Sequence, residues 1–413
     1  MTRQRGLKAL KMQLSERLKD NRIIRIAILC VLAALAAVSV YQGARNALLY
    51  SQDLQWDAAK ALAMRLDPYE LSLNPDAACD HPALADFYRM FTDKGLEQKM
   101  EANQFPSLLM LLFPVTLFPP SAARCVWLIL NLAFTAGIVY LARRTIFERV
   151  SGIVYAVMIL VMLAGTPYRN QLGVGQHTLF AFFFFMLAVY IEKTGPNGAK
   201  KTVHTALCLF VSFFKYTLTA PLALYFLCRR RYKELAASVA MHAVLTVAAA
   251  FWLKRDVIYM ITAPLRVASA LVAEGGLDLG VLLGTKAYAV AAFVLVAGLT
   301  VMSIYMKEGR ENILLALLIF WSLVLTYHRT YDFFVLTFAA APFFDAAQAD
   351  KIFTKKEKTF FALWYILVIL AVYFLLRVFN ENDASRIGVG IIYYAFMLAY
   401  TAVCIKTSLI GSK

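Results

Sequence analysis

Residues 23–43, with the sequence IIRIAILCVLAALAAVSVYQG, are the stretch that decides the fold class. An apolar run of about 20 residues is long enough to cross the hydrocarbon layer of a membrane as a helix. Similar runs recur along the chain, and 61% of its 413 residues are hydrophobic while only 16% are charged. In soluble domains, roughly a quarter of the residues are charged. The sequence therefore predicts an all-α polytopic membrane protein, because spanning segments must satisfy their backbone groups internally.

The predicted architecture is a single integral membrane domain over residues 1–413, with about twelve transmembrane helices. Residues 1–22 are basic and amphipathic and are predicted to form a cytoplasmic interfacial helix. The two largest outer loops are predicted at 44–121, which includes juxtamembrane helices, and at 254–284. The predicted spans are 23–43, 122–142, 150–165, 178–194, 202–214, 217–228, 234–253, 285–305, 312–326, 332–347, 359–377 and 387–406.

Basic residues set the predicted orientation. The formal net charge is +16, and most basic residues lie in short loops between spans, which indicates membrane topology rather than nucleic-acid binding. When the proline-broken segment 105–120 stays outside as a re-entrant or interfacial helix, every short basic loop falls on the cytoplasmic side. We therefore expect a multi-pass protein of the cytoplasmic membrane with both termini inside. Residues 202–228 leave two alternatives open, a broken hairpin around Lys215 or one long helix.

Asp53 follows the first span by about ten residues, on the side opposite the basic N-terminus, and opens the segment DLQWDAAKALAMRLDPY, residues 53–69. A carboxylate at this position suits a general base acting on a lipid-carried substrate at the membrane surface. Asp57 lies one helical turn later, so Asp53 and Asp57 together could instead hold a divalent cation. Otherwise no cofactor is predicted. A third alternative is that Asp53 caps the following helix.

The remaining unusual polar residues also fall on the predicted outer face. Arg329 suits bidentate phosphate binding, and His328 suits proton donation to a phosphate leaving group. Lys215 is isolated in an apolar stretch, where it suits a lipid phosphate or simply reaches the interface from a helix end. Asp332 either contacts substrate or pairs with Arg329. An outer-face active site explains this convergence best.

A glycine-rich turn, Gly173-Val-Gly-Gln-His177, precedes a phenylalanine-rich span. Glycines let the backbone approach a ligand, and the Gln176 amide suits sugar hydroxyls, although a plain loop before a helix is nearly as good an interpretation. Neither a phosphate-binding loop of the Walker type nor a dinucleotide-binding glycine pattern occurs in the sequence.

These motifs, in this order, resemble the polyprenyl-phosphate-sugar-dependent glycosyltransferases of the GT-C superfamily, and most closely glycosyltransferase family 87, a mannosyltransferase-like group. The resemblance rests on an Asp after the first span, an apolar proline segment, a Gly-Gln, a Lys before an Arg-rich loop and a late His-bearing loop. The residues that carry it are Asp53 to Tyr69, Phe105 to Leu109, Gly175 to His177, Lys215 to Arg231 and Tyr327 to Arg329.

The resemblance implies a GT-C type bundle with an outer-face cavity capped by interfacial helices. It also implies an inverting transfer of a mannose-like hexose or arabinose from a polyprenyl-phosphate donor to a glycolipid or envelope glycan acceptor. Under it, Asp53 and His328 are the predicted catalytic residues, and Lys215 and Arg329 bind the donor phosphate. The residues predicted to contact sugar or acceptor are Gln176, His177, Tyr69, Arg169 and Asp332.

Two other functions fit the composition less well. A transporter or flippase of lipid-linked sugars would need charged residues along a path through the middle of the membrane, whereas most charges here lie at the ends of spans. A non-catalytic subunit of an envelope polysaccharide assembly complex would work without Asp53. Membrane lipid is an expected partner in all three cases, and nucleic acid in none.

Overall fold

The computed structural model describes residues 22–271, 277–307, 309–375 and 383–409, and throughout these residues the regular secondary structure is helical, with no strand. The interfacial helix predicted for residues 1–22 lies outside the described residues except for Arg22. The all-α prediction is thus confirmed.

Seven helices are long and apolar enough to cross a membrane, and the number rises to eight if a bent pair, Gly152–Ala164 with Thr166–Val174, counts as one span. The chain is therefore a multi-pass membrane protein, as predicted. The predicted number of about twelve spans is not confirmed by these lengths. The seven are Ile23–Leu49, Pro120–Thr145, Ala199–Leu222, Tyr232–Leu253, Ala287–Tyr305, Lys355–Leu375 and Arg386–Thr407. Ala199–Leu222 is included on its total length and composition, although its helix breaks at Lys215.

Short helices fill the segment between the first two long ones. Four of them begin with proline, whose fixed φ favours the first helical position. Asp67 accepts hydrogen bonds from the backbone N–H groups of Tyr69 and Glu70, at 3.0 and 3.2 Å, and so caps the third helix. The N-terminal helices are α1 (Arg22–Leu49), α2 (Trp56–Ala63), α3 (Pro68–Leu73), α4 (Pro75–Cys79), α5 (Pro82–Thr92), α6 (Pro106–Met110) and α7 (Pro120–Thr145).

The proline-broken segment 105–120 does not form a spanning helix. It contains α6 and a short 3-10 helix, Phe113–Leu117, before α7 begins at Pro120. Both pieces pack against α2, and together they bury the apolar residues that follow Asp53. Neither helix is long enough to span a membrane, and the position of this segment on the outer side stays a prediction.

The middle of the chain forms a hairpin around Lys215. Lys201 at the start of α11 and Arg231 after α13 both contact Glu192, with N–O distances of 3.4 and 2.7 Å, so the chain returns to where it started. Of the two alternatives for residues 202–228, the structure has the broken hairpin. The helices here are α8 (Gly152–Ala164), α9 (Thr166–Val174), α10 (Thr178–Thr194), α11 (Ala199–Ser212), α12 (Tyr216–Leu222), α13 (Leu224–Cys228) and α14 (Tyr232–Leu253), with a 3-10 turn at Phe213–Lys215.

The C-terminal part of the chain builds the core around α17. Residues Ile313 to Leu325 of α17 are all buried, as expected for a helix that is apolar on every side. Tyr393 and Tyr400 donate hydrogen bonds to backbone carbonyls of α17 and join it to the last helix. The helices are α15 (Val257–Leu271), α16 (Leu279–Tyr305), α17 (Glu311–Leu325), α18 (Ala341–Phe344), α19 (Ala346–Ala349), α20 (Lys355–Leu370) and α21 (Asp383–Leu409), with a 3-10 helix at Thr330–Ala339 and a π-helical turn at Ala371–Leu375.

The bundle has two chemically different ends. One, called the Asp53 end, contains the loop after α1, the tip of the hairpin at Lys215 and the segment 326–332. The other, called the Glu192 end, contains the two feet of the hairpin, where Lys201, Arg229 and Arg231 surround Glu192. Glu192 is 2% exposed, so this end buries a fully compensated charge cluster.

Candidate active site

A polar pocket of about 90 Å³ lies at the Asp53 end. It forms where the loop after α1, the turn between α9 and α10, the hairpin tip and the segment 326–332 meet. Six predicted site residues from distant parts of the chain come together around it: Asp53, Gln176, His177, Lys215, Arg329 and Asp332. Its lining residues are Asp53, Gln55, Glu101, Asn103, Gln104, Gln176, His177, Lys215, Tyr216, Thr217, Ala268, Tyr327, Arg329, Tyr331 and Asp332.

The backbone that presents Asp53 is strained on both sides. Ser51 and Gln55 adopt positive φ values of 33° and 58°, which side-chain-bearing residues rarely take. Strain of this kind costs on the order of 1–3 kcal/mol per residue and is concentrated at functional sites. Gln55, and not Asp53, is the N-cap residue of α2, and its side chain makes no capping bond. The capping alternative for Asp53 is therefore not what the structure has.

The turn between α9 and α10 holds the Asp53 loop in place. The Asp53 N–H donates to the Val174 carbonyl at 2.9 Å, and His177 Nε2 donates to the Leu54 carbonyl at 3.0 Å. Gly175 has a φ of +70°, and a Cβ there would lie 3.2 Å from the Ser51 side chain. Only glycine combines this conformation with so close an approach. The glycine-rich turn is thus a support for the Asp53 loop.

His177 is enclosed by the protein. It is 1% exposed, and its ring packs against Trp127 and Phe214 with centroid distances of 5.3 and 4.4 Å. Burial lowers the pKa of its imidazole to about 3, so the ring is neutral and donates from Nε2. These contacts indicate that His177 positions the Asp53 loop.

The half-buried Asp53 carboxylate has neutral hydrogen-bonding neighbours and cations further away. Gln176 Nε2 donates to Asp53 Oδ2 at 3.3 Å and to the Tyr331 hydroxyl at 2.8 Å. Burial raises the pKa of Asp53 above its usual range, and the positive charges of Arg329 and Lys215 oppose that rise. A carboxylate with a raised pKa that remains close to cations has the properties of a general base.

Asp332 connects the cationic side of the pocket. Its Oδ2 lies 3.4 Å from Lys215 Nζ and 2.7 Å from His328 Nδ1, and its Oδ1 accepts a short hydrogen bond from the Thr178 hydroxyl. The expected partner, Arg329, instead donates from Nε to the Tyr327 hydroxyl at 2.7 Å. Asp332 therefore orients Lys215, whose ammonium lies over the Tyr331 ring at 5.5 Å from its centroid.

His328 is 1% exposed, and its two ring nitrogens face Asp332 and the Thr326 hydroxyl, at 2.7 and 3.3 Å. It does not line the pocket that contains its neighbours Tyr327 and Arg329. A side chain enclosed in this way supports the carboxylate that in turn holds Lys215.

Three other predicted site residues lie away from the pocket. Tyr69 is fully buried and donates to the Gln104 carbonyl at 2.8 Å, Arg169 donates to Gln42 of α1 at 2.8 Å, and Asp57 accepts from the Tyr88 hydroxyl at 2.9 Å. Burial raises the pKa of Asp57 to about 6. Among the described residues, no group of three or more His, Cys, Asp or Glu side chains is arranged to hold a metal ion.

Several pocket residues were missed from the sequence. Tyr331 accepts a hydrogen bond from the Gln176 amide that also donates to Asp53, and Gln55, Asn103 and Gln104 line the same pocket. The only sequence signal for the last two is a pair of amides directly before the apolar Phe105-Pro106 segment. Nothing in a single sequence shows that they fold back over Asp53.

The pocket brings together a carboxylate, two cations and several amides within one small volume. A carboxylate near Lys215 and Arg329 suits a reaction in which a hydroxyl loses its proton while an anionic group departs. Both cations lie where a phosphate would be attracted.

The chain also matches a known protein family. The family model of glycosyltransferase family 87 matches residues 106–327, just over half of the chain. The matched range includes Gln176 and Lys215, whereas Asp53 and Arg329 lie outside it. No curated protein and no solved structure matches the chain.

Proposed function

The chain belongs to glycosyltransferase family 87, and from that premise we propose that it transfers a sugar from a polyprenyl-phosphate donor to a glycolipid or envelope glycan acceptor. The chain is a membrane protein with several spans, so a lipid-linked donor would reach its site from the bilayer. The observation that carries the proposal is the pocket in which Asp53 lies near two cations from distant parts of the chain.

The proposed reaction is a single displacement with inversion at the anomeric carbon. Asp53 takes the proton of the acceptor hydroxyl as its oxygen attacks the anomeric carbon. The bond between that carbon and the phosphate oxygen breaks, and polyprenyl monophosphate leaves with the electron pair. Lys215 and Arg329 stabilise the charge that develops on the phosphate. No nucleotide is required, because the leaving group is already a phosphate monoester.

The other polar residues act by positioning. Gln176 holds the Asp53 carboxylate and the Tyr331 hydroxyl, and His177 fixes the backbone of the Asp53 loop. Asp332, held by His328 and Thr178, keeps Lys215 directed at the phosphate. A role in positioning also suits Tyr69, which fastens the backbone of Gln104.

We place the site on the outer face of the cytoplasmic membrane. The opposite end of the bundle carries Arg229, Arg230 and Arg231 together with Lys200 and Lys201. Basic residues concentrate on the cytoplasmic side, so the Asp53 end faces out.

The test is sugar transfer by the purified protein in nanodiscs, with a panel of polyprenyl-phosphate sugars that includes mannose and arabinose donors. The wild type should consume one donor, and Asp53→Ala and Asp53→Asn should consume none at comparable rates. Asp93→Asn is the matched control, since Asp93 is an exposed carboxylate in the same outer segment.

If the wild type consumes no donor while it still binds the lipid, the enzyme proposal fails and transport of lipid-linked sugars becomes the better explanation. If both the wild type and Asp53→Asn transfer sugar equally well, the activity stands and Asp53 is not its base.

A further inference from the structure

Three of the residues that line the pocket have amide side chains whose carbonyl oxygens lack a hydrogen-bond donor. Within the part of the chain that the structure describes, no donor bonds Gln55 Oε1, Asn103 Oδ1 or Gln104 Oε1, and all three oxygens are shielded from solvent. Gln55 is 9% exposed and Gln104 is 6% exposed. A buried acceptor without a donor is costly, so three around one pocket point to a ligand that supplies donors.

The backbone around these amides is built to hold them there. Residues 101–104, here called the strap, are fastened at three points to the segment after α1. The Gln55 amide donates to the Glu101 carbonyl at 2.8 Å, the Ala102 N–H donates to the Ser72 hydroxyl at 2.9 Å, and the Tyr69 hydroxyl donates to the Gln104 carbonyl at 2.8 Å. The strap is thus fixed through its backbone, which leaves the side chains of Asn103 and Gln104 uncommitted.

Gln55 also departs from the residue that its local structure would favour. It occupies the N-cap position of α2, where Ser, Thr, Asp or Asn would accept a backbone hydrogen bond, and its side chain makes none. Its φ of 58° adds backbone strain. We attribute the missing cap and the backbone strain at Gln55 to the role of its side chain in the pocket.

We infer that Gln55, Asn103 and Gln104 form the subsite that recognises the hydroxyl groups of the transferred sugar. The inference rests on the proposed function and names the part of the donor that these amides contact. The sugar is joined directly to the phosphate, and the residues assigned to the phosphate, Lys215 and Arg329, line the same small pocket. The sugar ring therefore lies between the cations and the strap.

Amides suit sugar hydroxyls in both directions. A hydroxyl donates one hydrogen bond and accepts others, and an amide offers an oxygen acceptor beside two N–H donors. The terminal torsion of Asn and Gln is soft, so a turn about it brings the shielded oxygen to the pocket. A divalent cation would also take amide oxygens, but such sites are built mainly on carboxylates, and the three residues here are neutral.

The test is a double-mutant cycle between the protein and the donor. Donors lacking one hydroxyl at a time are compared with the parent sugar on the wild type, Gln55→Leu, Asn103→Leu and Gln104→Leu. At least one deoxy donor should lose about tenfold or more in kcat/KM on the wild type. On the variant that lacks its partner amide, the same deoxy donor should lose little further. Asn74→Leu, a change at an exposed amide outside the pocket, should leave every ratio at its wild-type value.

The outcomes separate the two proposals. A wild type that transfers no sugar from any donor defeats the proposed function. A wild type that transfers sugar but treats deoxy and parent donors alike, or that shows independent losses in every cycle, overturns the subsite alone. Coupling to a deoxy acceptor instead of a deoxy donor also overturns it. So does activity that EDTA abolishes and Mn²⁺ or Ca²⁺ restores in the wild type but not in the amide variants, because the amides would then hold a cation.

Discussion

Each end of the helix bundle withdraws an acidic side chain from solvent, Glu192 almost completely and Asp53 in part, yet the two carboxylates have different neighbours. Glu192 is contacted by three cations, Lys201, Arg229 and Arg231, within 3.7 Å. Asp53 is hydrogen-bonded by a neutral amide, and its cations act from further away without offsetting its burial, so its pKa stays raised. The backbone on both sides of Asp53 is also strained.

The difference shows which signs of a buried charge point to chemistry. A carboxylate paired with three cations, such as Glu192, ties together the feet of the hairpin. A carboxylate with a raised pKa, held on a strained loop beside a pocket, has features that are concentrated at functional sites. Counting buried charges would not separate the two ends, whereas examining their partners does.

Asp53→Asn should have the largest effect on activity. We expect kcat to fall about 1,000-fold, because a positioned general base contributes on the order of 10²- to 10⁴-fold. Thermal stability at neutral pH should stay equal or rise. A carboxylate whose pKa is raised by folding lowers stability above that pKa, and stability returns as the pH falls through it. Turnover by the variant within tenfold of the wild type would contradict the prediction.

Glu192→Gln should have the opposite profile. Removing one partner of a buried ion-pair cluster leaves uncompensated buried cations and costs roughly 3–5 kcal/mol of stability. Turnover per folded molecule, measured well below the unfolding temperature, should remain that of the wild type. The loss of stability is measured from unfolding midpoints in detergent or nanodiscs. A variant with unchanged stability would show that the cluster at this end is not structural.

Lys215→Met tests the role of the lysine cation at the Asp53 end. Loss of a charge-assisted contact to phosphate should raise the KM for the donor about 10- to 100-fold, with the KM for the acceptor little changed. Lys200→Met, at an exposed position of the Glu192 end, is the matched control and should change neither constant. Equal changes in both KM values would mean that Lys215 supports the pocket without contacting the donor.

The smallest expected effect is a shift in pH dependence. In the proposed mechanism activity needs the ionised form of Asp53, so its raised pKa should place the acid limb of the kcat/KM–pH profile above that of an ordinary aspartate. Arg329 lowers this pKa, so Arg329→Met should move the acid limb to still higher pH. Arg266→Met, at an exposed arginine of α15, should leave the limb in place. A shift to lower pH in Arg329→Met would exclude Asp53 as the titrating group.

Hydropathy and charge were enough to predict the fold class, because the cost of an unsatisfied backbone in hydrocarbon leaves few choices. The order of short motifs was enough to predict the family. The number of spans was harder to predict, since the chain reverses direction inside one stretch of spanning length, Ala199–Leu222, and the bent pair α8–α9 reaches that length only when its two helices are taken together.

The site was only partly predictable because the sequence does not give the direction of side chains. Asp53, Gln176, Lys215 and Arg329 were selected as polar residues at span ends, and they do surround one pocket. The same criterion also selected Arg169 and Asp57, whose side chains turn to Gln42 and Tyr88. Side chains contributed by the strap could not be found in this way, since they depend on how a loop folds back.

The hairpin around Lys215 also has a consequence for biogenesis. The chain reverses direction between α11 and the pair α12–α13, so the hairpin carries its charged tip, Lys215, to the Asp53 end. Lys215 meets its counter-ion only when Asp332 has been synthesised, far downstream. Because an isolated charge is costly at membrane depth, we expect the hairpin to reach its final position only after residue 332 has been made. The pocket is complete only when Asp332, the last of its lining residues in the chain, is in place.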